Sequence, residues 1–487
     1  MVLTTLLLVP VLGMLVTLCL PKRAERLIRA VATAATGLAC LLSLKVLAGF
    51  QTGLGSIQFE EKLSWIPQLH IFYHLGVDGI SLPMVLLTGV LSFLACLASW
   101  SIKERVKEYF VLYQLLVVGM LGTFLALDLF LFYVFWEVVL VPMYFLIGIW
   151  GGGRREYSAF KFFVYTLAGS LAMLLGILTL YLRTHTFDLL ALAQTGRTLE
   201  PGLQQLLFVA FFLGFAIKVP VFPFHTWLPD AHVDAPTPIS VLLAGVLLKM
   251  GGYGFFRISY PLFPDGAQWF SPAMALLGVI NIVYGAFVAM AQTDFKRVVA
   301  YSSVSHMGFV LLGLSSFTQE GMNGALLQMF SHGVITGAMF LLVGVLYDRT
   351  HTRDLTAFGG LGARVPVYGG VLIFFSLASL GLPGLSGFVA EFLTLVGTFG
   401  THRLLTGLSV IGIVVTAAYI LTVLQRVLLG PLNQKWAGLP DVTARELATL
   451  VPLAVIVLLV GVYPMAVLSL QDQSLRLLLD HVGAVLR

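Results

Sequence analysis

The feature that most constrains this chain is a succession of long, nearly unbroken apolar runs. A helix needs ~20 mostly apolar residues to cross a hydrocarbon core ~30 Å thick. Fourteen segments qualify, at about 2–20, 26–50, 77–101, 108–127, 128–150, 155–182, 203–228, 236–259, 271–293, 296–316, 319–347, 366–398, 404–425 and 446–470. Runs this continuous do not suit the short alternating strands of a membrane barrel. The expected fold is an all-α polytopic membrane protein, a single membrane domain over residues 1–487. With 59% hydrophobic and 10% charged residues, the chain has too little polar surface for a soluble domain. The longest interruptions, about 52–76, 183–202 and 426–445, are too short to bury cores of their own. Residues 2–20 run straight into Pro21-Lys22-Arg23, with no basic stretch before them and no small-residue cleavage site. They read as the first span rather than as a cleaved signal.

The net charge of +5 could suggest nucleic acid or anionic lipid. Its placement gives another reading. With an even number of spans both termini lie on one side. If that side is the outer one, 18 of the 28 basic residues fall in inner loops and 7 on the outer side, while Lys45, Lys218 and Lys249 fall within spans. Cationic loops stay on the cytoplasmic side, so both termini are expected outside. The basic excess is a topology signal, and no nucleic-acid partner is expected. Cys19, Cys40 and Cys96 stand alone in apolar stretches and form no metal or disulfide pattern.

Two spans should be broken. The seventh contains Ile217-Lys218-Val219-Pro220-Val221-Phe222-Pro223, and proline removes a helical hydrogen bond and clashes with the preceding turn. The twelfth contains Gly381-Leu382-Pro383-Gly384-Leu385-Ser386-Gly387. Its 33 residues would make a straight helix ~50 Å long, too long for one crossing. Irregular backbone at that depth must be buried in protein or line a wet cavity. The breaks are five spans apart. A unit of five crossings repeated in tandem must be inverted, so spans 4–8 (108–259) and 9–13 (271–425) are expected to be inverted repeats, a transporter pattern. Direct similarity is weak: Gly252-Tyr253 and Arg257 resemble Ala418-Tyr419 and Arg426, with different spacing.

An ionisable group inside a span costs ~2.5–3.5 kcal/mol on insertion scales and usually has a function. Six are candidates: Glu137 in span 5, Lys218 at the break in span 7, Lys249 in span 8, His306 in span 10, His332 in span 11 and Glu391 beyond the break in span 12. Burial disfavours a lysine's charge and a nearby carboxylate favours it. Lys218 with Glu137 at a variable distance could therefore load and release a proton. Histidine titrates nearest neutrality and relays through either ring nitrogen. Glu391, toward the outer face, could accept the proton and give it to water. The bland alternatives are a lysine that only neutralises a glutamate and fixes packing, and a His306 that merely hydrogen-bonds a neighbouring helix. Lys45 is near a span end and can snorkel. Asp78 and Asp128 sit at span ends as helix caps, and Asp78 could also touch a partner. His225, Asp230 and His232 lack regular ligand spacing and suit a capping loop better than a metal site. No phosphate loop, dinucleotide fingerprint or nucleophile elbow is present in the sequence. Gly151-Gly152-Gly153-Arg154-Arg155 has no strand before it.

Ile217 to His232 (IKVPVFPFHTWLPDAH), its continuation DAPTPISVLLAGVLLK to Lys249, QTDFKRVVAYSSVSHMGF with His306, SHGVITGAMFLLVGVLYDRTHTRD with His332, and GLPGLSGFVAEF with Glu391 resemble the antiporter-like proton-pumping subunits of complex I over nearly the whole chain. The resemblance implies fourteen core helices, two inverted five-helix repeats with broken helices 7 and 12, a glutamate–lysine pair at Glu137 and Lys218, and a central lysine at Lys249. The terminal group on helix 12 is lysine in the L- and N-type chains and in cation/proton antiporter subunits, and glutamate in one branch. Glu391 places this chain with that branch, and the short C-terminal end sets it apart from the L-type chain with its lateral helix. No cofactor is expected on this chain; FMN, iron–sulfur clusters and quinone are expected on partner subunits. Those partners are other membrane subunits, including L- and N-type chains, and indirectly a quinone-reducing peripheral arm. Protons are expected to come from inside, load Lys218 or Lys249, pass near His332 and leave through Glu391. The implied location is a bacterial inner membrane, or a thylakoid if the electron donor is ferredoxin. A subunit of a multi-subunit cation/proton antiporter and a passive scaffold remain the rival readings.

Overall fold

The computed structural model describes residues 1–196 and 198–483. Arg197 and Arg487, counted above on the outer side, lie outside the described residues. In chain order the helices are α1 (Val2–Cys19), α2 (Glu25–Gly49), α3 (Leu82–Ala98), α4 (Val106–Leu125), α5 (Leu129–Trp150), α6 (Arg155–Thr184), α7 (Pro201–Lys218), α8 (Trp227–Asp234), α9 (Thr237–Leu262), α10 (Pro264–Met290), α11 (Phe295–Leu314), α12 (Gln319–Thr350), α13 (Pro366–Ser379), α14 (Ser386–Phe399), α15 (Arg403–Leu428), α16 (Ala444–Val462) and α17 (Met465–Gly483). Among the described residues, thirteen helices are long and apolar enough to cross a membrane. The expected broken span 366–398 is a pair, α13 and α14, each too short to cross alone. Between them Gly381 and Gly384 take left-handed backbone conformations, with φ +83° and +92°, where a Cβ would be strained. The expected last span, 446–470, ends early. Tyr463 leaves the helical region before Pro464, and α17 begins at Met465.

The fold is not wholly α. The interruption at 52–76 holds an antiparallel hairpin, β1 (Gln58–Ile66) and β2 (Ile71–Val77). Its sequence is rich in aromatic and β-branched residues, which suit a pleated surface, and His70 closes the turn in the left-handed region. The hairpin ties several helix ends together. Glu61 accepts hydrogen bonds from the free backbone N–H groups of Leu3 and Thr4 at 2.9 and 3.0 Å, and Phe72 N–H donates to Asp128 at 3.0 Å. Lys62 Nζ lies 2.6 Å from Asp188, and His74 Nδ1 lies 3.3 Å from it. Burial pushes the Asp188 carboxyl up, but hydrogen bonds from His74 and Lys62 outweigh this and hold it well below the usual carboxylate range. A carboxyl lowered by folding stabilises the fold above its unfolded pKa of ~3.9, and that contribution fades as pH falls toward the folded value. The detergent-solubilised protein should therefore lose thermal stability as pH drops below ~4. Asp188→Asn should lower Tm at pH 7 and flatten that acid limb, as thermal scans across pH would show.

By contact density the chain divides into two compact units. One holds Met1–Pro220, Val246–Pro272 and Ser469–Arg487, the other Val221–Gly245 and Ala273–Leu468. Each unit contains one copy of a turn. α6 and α12, of 30 and 32 residues, end in Tyr181-Leu182-Arg183-Thr184-His185-Thr186-Phe187-Asp188-Leu189 and Tyr347-Asp348-Arg349-Thr350-His351-Thr352-Arg353-Asp354-Leu355, identical at seven of nine positions. His185 and His351 both close their helices in the left-handed region, with φ 55° and 52°. Thr184 and Thr350 both donate one turn back, at 2.8 Å. Asp188 pairs with Asp128 in a short antiparallel bridge, and Asp354 pairs with Asp294 in another. All these positions are 166 residues apart, as are Tyr253 and Tyr419, and Pro220 and Ser386 at the two breaks. The direct similarity that seemed weak in the helices is strong in this turn.

Candidate functional site

In the first unit the site begins with a disturbed helix. α5 is interrupted at Val139, and Pro142 has no N–H to donate to the Val138 carbonyl. Glu137 therefore sits beside a weakened stretch of backbone. Its Oε1 is buried with no hydrogen-bond partner among the described residues. α7 ends at Lys218, ahead of Pro220. The Lys218 side chain is buried, and its Nζ lies 5.3 Å from the centre of the Trp136 ring and 5.5 Å from that of Phe162. Such desolvated cation–π contacts contribute ~2 kcal/mol. Nζ has no hydrogen-bond partner among the described residues, and the Glu137 carboxylate acts on it through space. Lys218 thus faces two aromatic rings without being tied by a close ion pair.

α9 carries Lys249 on a short α-helical segment, Leu248–Gly254, between two π-helical stretches, Leu243–Leu247 and Phe255–Ser259. π turns loosen the backbone ladder and recur at functional sites. Lys249 is fully buried. Two residues on, Gly251 lets α9 press against α7: a Cβ there would stand 2.6 Å from the Phe215 carbonyl oxygen and 3.0 Å from Lys218 Cβ. Sequence reading missed one pair here. Arg257, one of the basic residues expected on the outer side, is largely covered on α9 and forms an ion pair with Asp78. Asp78 Oδ1 also accepts from the Ile80 and Ser81 N–H groups at 3.0 Å. The signal was present, because Arg257 lies two turns beyond Lys249 in the same apolar run. Asp128 caps α5 as expected, accepting from Phe130 and Leu131.

The second unit brings three candidates together. His306 on α11 is buried, with Nδ1 3.0 Å from Glu391 Oε1 and Nε2 3.3 Å from Ser379 Oγ. The His332 ring from α12 lies 5.7 Å from it, centre to centre. Gln328 donates to the His306 carbonyl at 3.4 Å. These groups line a small polar cavity with room for about one water. Glu391, expected in its span toward the outer face, is buried and in direct contact with His306. The break in the helix explains this: α13 ends at Ser379 on one side of the imidazole, and α14 presents Glu391 on the other. His306 does hydrogen-bond a neighbouring helix, and its partner there is itself a candidate relay group.

A Cβ on Gly381 would stand 3.2 Å from Glu391 Oε2, at a φ that L-residues avoid. Gly381→Ala should cost ~1–2 kcal/mol in strain and displace Glu391, giving a complex that assembles less and pumps less in vesicle assays. His225, Asp230 and His232 do not converge. They lie on and beside helix α8 rather than in a loop: His225 stacks on Phe222, His232 on Phe340, and Asp230 faces Arg297 at 3.5 Å. Lys296, counted as a loop charge, is buried at the start of α11 and donates to the Ala235 carbonyl at 2.5 Å.

Membrane-length helices with buried ionisable groups beside their interruptions define a polytopic membrane protein. The family profile described as NADH:quinone oxidoreductase/Mrp antiporter, TM, matches residues 126–417, and the chain belongs to that family. It is 47% identical to the NADH-quinone oxidoreductase subunit M of Rhodobacter capsulatus, covering 95% of this chain and 92% of the relative. It is 41% identical to the NADH-ubiquinone oxidoreductase chain 4 of Marchantia polymorpha, over 98% of this chain and 97% of that one. A chain of respiratory complex I from Thermus thermophilus with bound NADH superposes with a TM-score of 0.89 at 34% identity, covering 98% of this chain and all of that one.

Proposed function

We propose that this chain is the antiporter-like, proton-translocating membrane subunit of a complex-I-type NADH–quinone oxidoreductase. The observation that carries the proton chemistry is the buried His306, bridged to Ser379 through one ring nitrogen and to Glu391 through the other. An imidazole so placed can take a proton on Nε2 as it gives one from Nδ1. In the other unit, Glu137 and Lys218 supply a charge pair whose separation would favour proton release. Lys249 is a further protonatable group on a loosened helix. Redox catalysis is assigned to other subunits: FMN, iron–sulfur clusters and quinone sit there, and quinone reduction drives the charge separation on this chain electrostatically. Moving a proton against ~100 mV costs ~2.3 kcal/mol, which that reaction must supply. Partners are other membrane subunits, including L- and N-type chains, in a bacterial inner membrane. Both termini lie on the outer side, as the loop charges suggest. The duplicated turn supports inverted repeats over 108–259 and 271–425, because an odd number of crossings, five, separates its copies.

The test is NADH-driven proton uptake by inverted vesicles with and without sodium. Proton movement that tracks NADH oxidation and ignores sodium is expected. Strict dependence on sodium would favour the cation/proton antiporter reading.

A further inference from the structure

We propose that the second unit has a proton-uptake branch of its own, running from the Phe295 end of α11 through a hydroxyl-lined cavity to Nε2 of His306. The proposal rests on the proton-translocating reading above and specifies where His306 is loaded. A second small cavity, also with room for about one water, is lined by Phe295, Val299, Ser302, Thr336, Ser379 and Tyr419. Thr336 and Ser379 also line the cavity beside His306 and Glu391, so the two cavities share a wall of hydroxyls. Phe295, Val299, Ser302 and His306 recur at i, i+4, i+7 and i+11 and form one stripe along α11. The stripe leads from the end of the helix to the imidazole.

Ser302 donates to the Val299 carbonyl at 2.7 Å, which leaves its oxygen able to accept. Tyr419 is 2% exposed, and its hydroxyl has no hydrogen-bond partner of normal geometry among the described residues, although it lies beside Ser302 and Thr416. Its counterpart Tyr253 is fully engaged, donating to the Phe124 carbonyl and accepting from Arg257, both at 3.1 Å. An unpaired buried hydroxyl costs ~1–3 kcal/mol, and a water in the cavity would satisfy it. The transfer balances. A proton delivered through Ser379 or water forms N–H at Nε2, the N–H at Nδ1 breaks, and O–H forms at Glu391 Oε1. Tautomer exchange or a ring flip then resets the imidazole. The apolar end at Phe295, Val298 and Val299 makes the branch conduct only when wetted, a dewetting gate. With the termini outside, that end faces the inner side and Glu391 lies farther toward the outer side.

The test uses the intact complex in proteoliposomes, carrying Ser302→Ala with Tyr419→Phe. NADH-driven proton uptake should fall about a hundredfold, the low end of what a positioned proton-transfer group contributes, while NADH oxidation with an artificial electron acceptor stays unchanged. Ser302→Thr with native Tyr419 should pump normally. If the double variant fails to assemble, each single variant is read the same way. Wild-type proton uptake with the hydroxyls removed, in a preparation where Glu391→Gln abolishes it, would overturn the branch and leave the relay standing. Full pumping by Glu391→Gln as well would overturn the relay reading itself.

Discussion

Glu391→Gln is expected to abolish NADH-driven proton translocation while leaving the complex assembled. Glutamine keeps the size of the side chain and can still accept from or donate to His306 Nδ1, so the 3.0 Å contact survives in outline. The structural cost is therefore close to that of one altered hydrogen bond, ~1 kcal/mol. What is lost is the capacity to hold a proton, and with it the step that unloads His306. Positioned proton donors and acceptors contribute factors of ~10²–10⁴, so uptake measured with a pH-sensitive dye in proteoliposomes should drop to the leak rate. Glu391→Asp keeps the chemistry but shortens the reach to His306, and should retain part of the activity.

Lys218→Met should also stop pumping, and here assembly and transport can be separated. Methionine keeps an unbranched side chain beside Trp136 and Phe162 and packs well against aromatic rings. It removes the cost of burying an amine. Assembly should be near wild type with pumping lost. Glu137→Ala is the opposite case. It leaves the buried Lys218 amine without the carboxylate whose charge acts on it, and an uncompensated group in the interior destabilises the fold. That variant should assemble poorly. The double variant Glu137→Ala, Lys218→Met should recover assembly and still not pump. A passive scaffold requires pumping to return with assembly. Quantifying assembled complex by gel and proton uptake on the same preparations separates the two.

The membrane helices were legible because lipid leaves a span no backbone partner but its own helix, so each must be long, apolar and continuous. The breaks at Pro220 and Gly381 were legible for the converse reason, since proline and glycine announce them locally. The hairpin was missed: its strands are short, and they are held by Glu61, Lys62 and Phe72 reaching residues far along the chain. The π-helical stretches on either side of Lys249 carry no local sign in the sequence either. All six candidate residues could be named from the sequence, since an ionisable group in an apolar run stands out. Their partners could not. Nothing in spacing shows that Glu391 meets His306 85 residues away, or that Arg257 pairs with Asp78 rather than with water. The repeat is faint in the helices, where lipid accepts many apolar sequences. It survives best in the turn after α6 and α12, where Thr, His and Asp have specific hydrogen bonds to make.

The central claim is that buried groups on this chain carry protons for a redox reaction performed elsewhere. The most direct measurement is the number of protons moved per NADH oxidised by reconstituted complex bearing Lys218→Met or Glu391→Gln, beside wild type at matched assembly. The expected result is a lower ratio, or coupled turnover lost together with pumping, in both variants, with NADH oxidation by an artificial acceptor intact. An unchanged ratio at an unchanged rate in both would contradict the account.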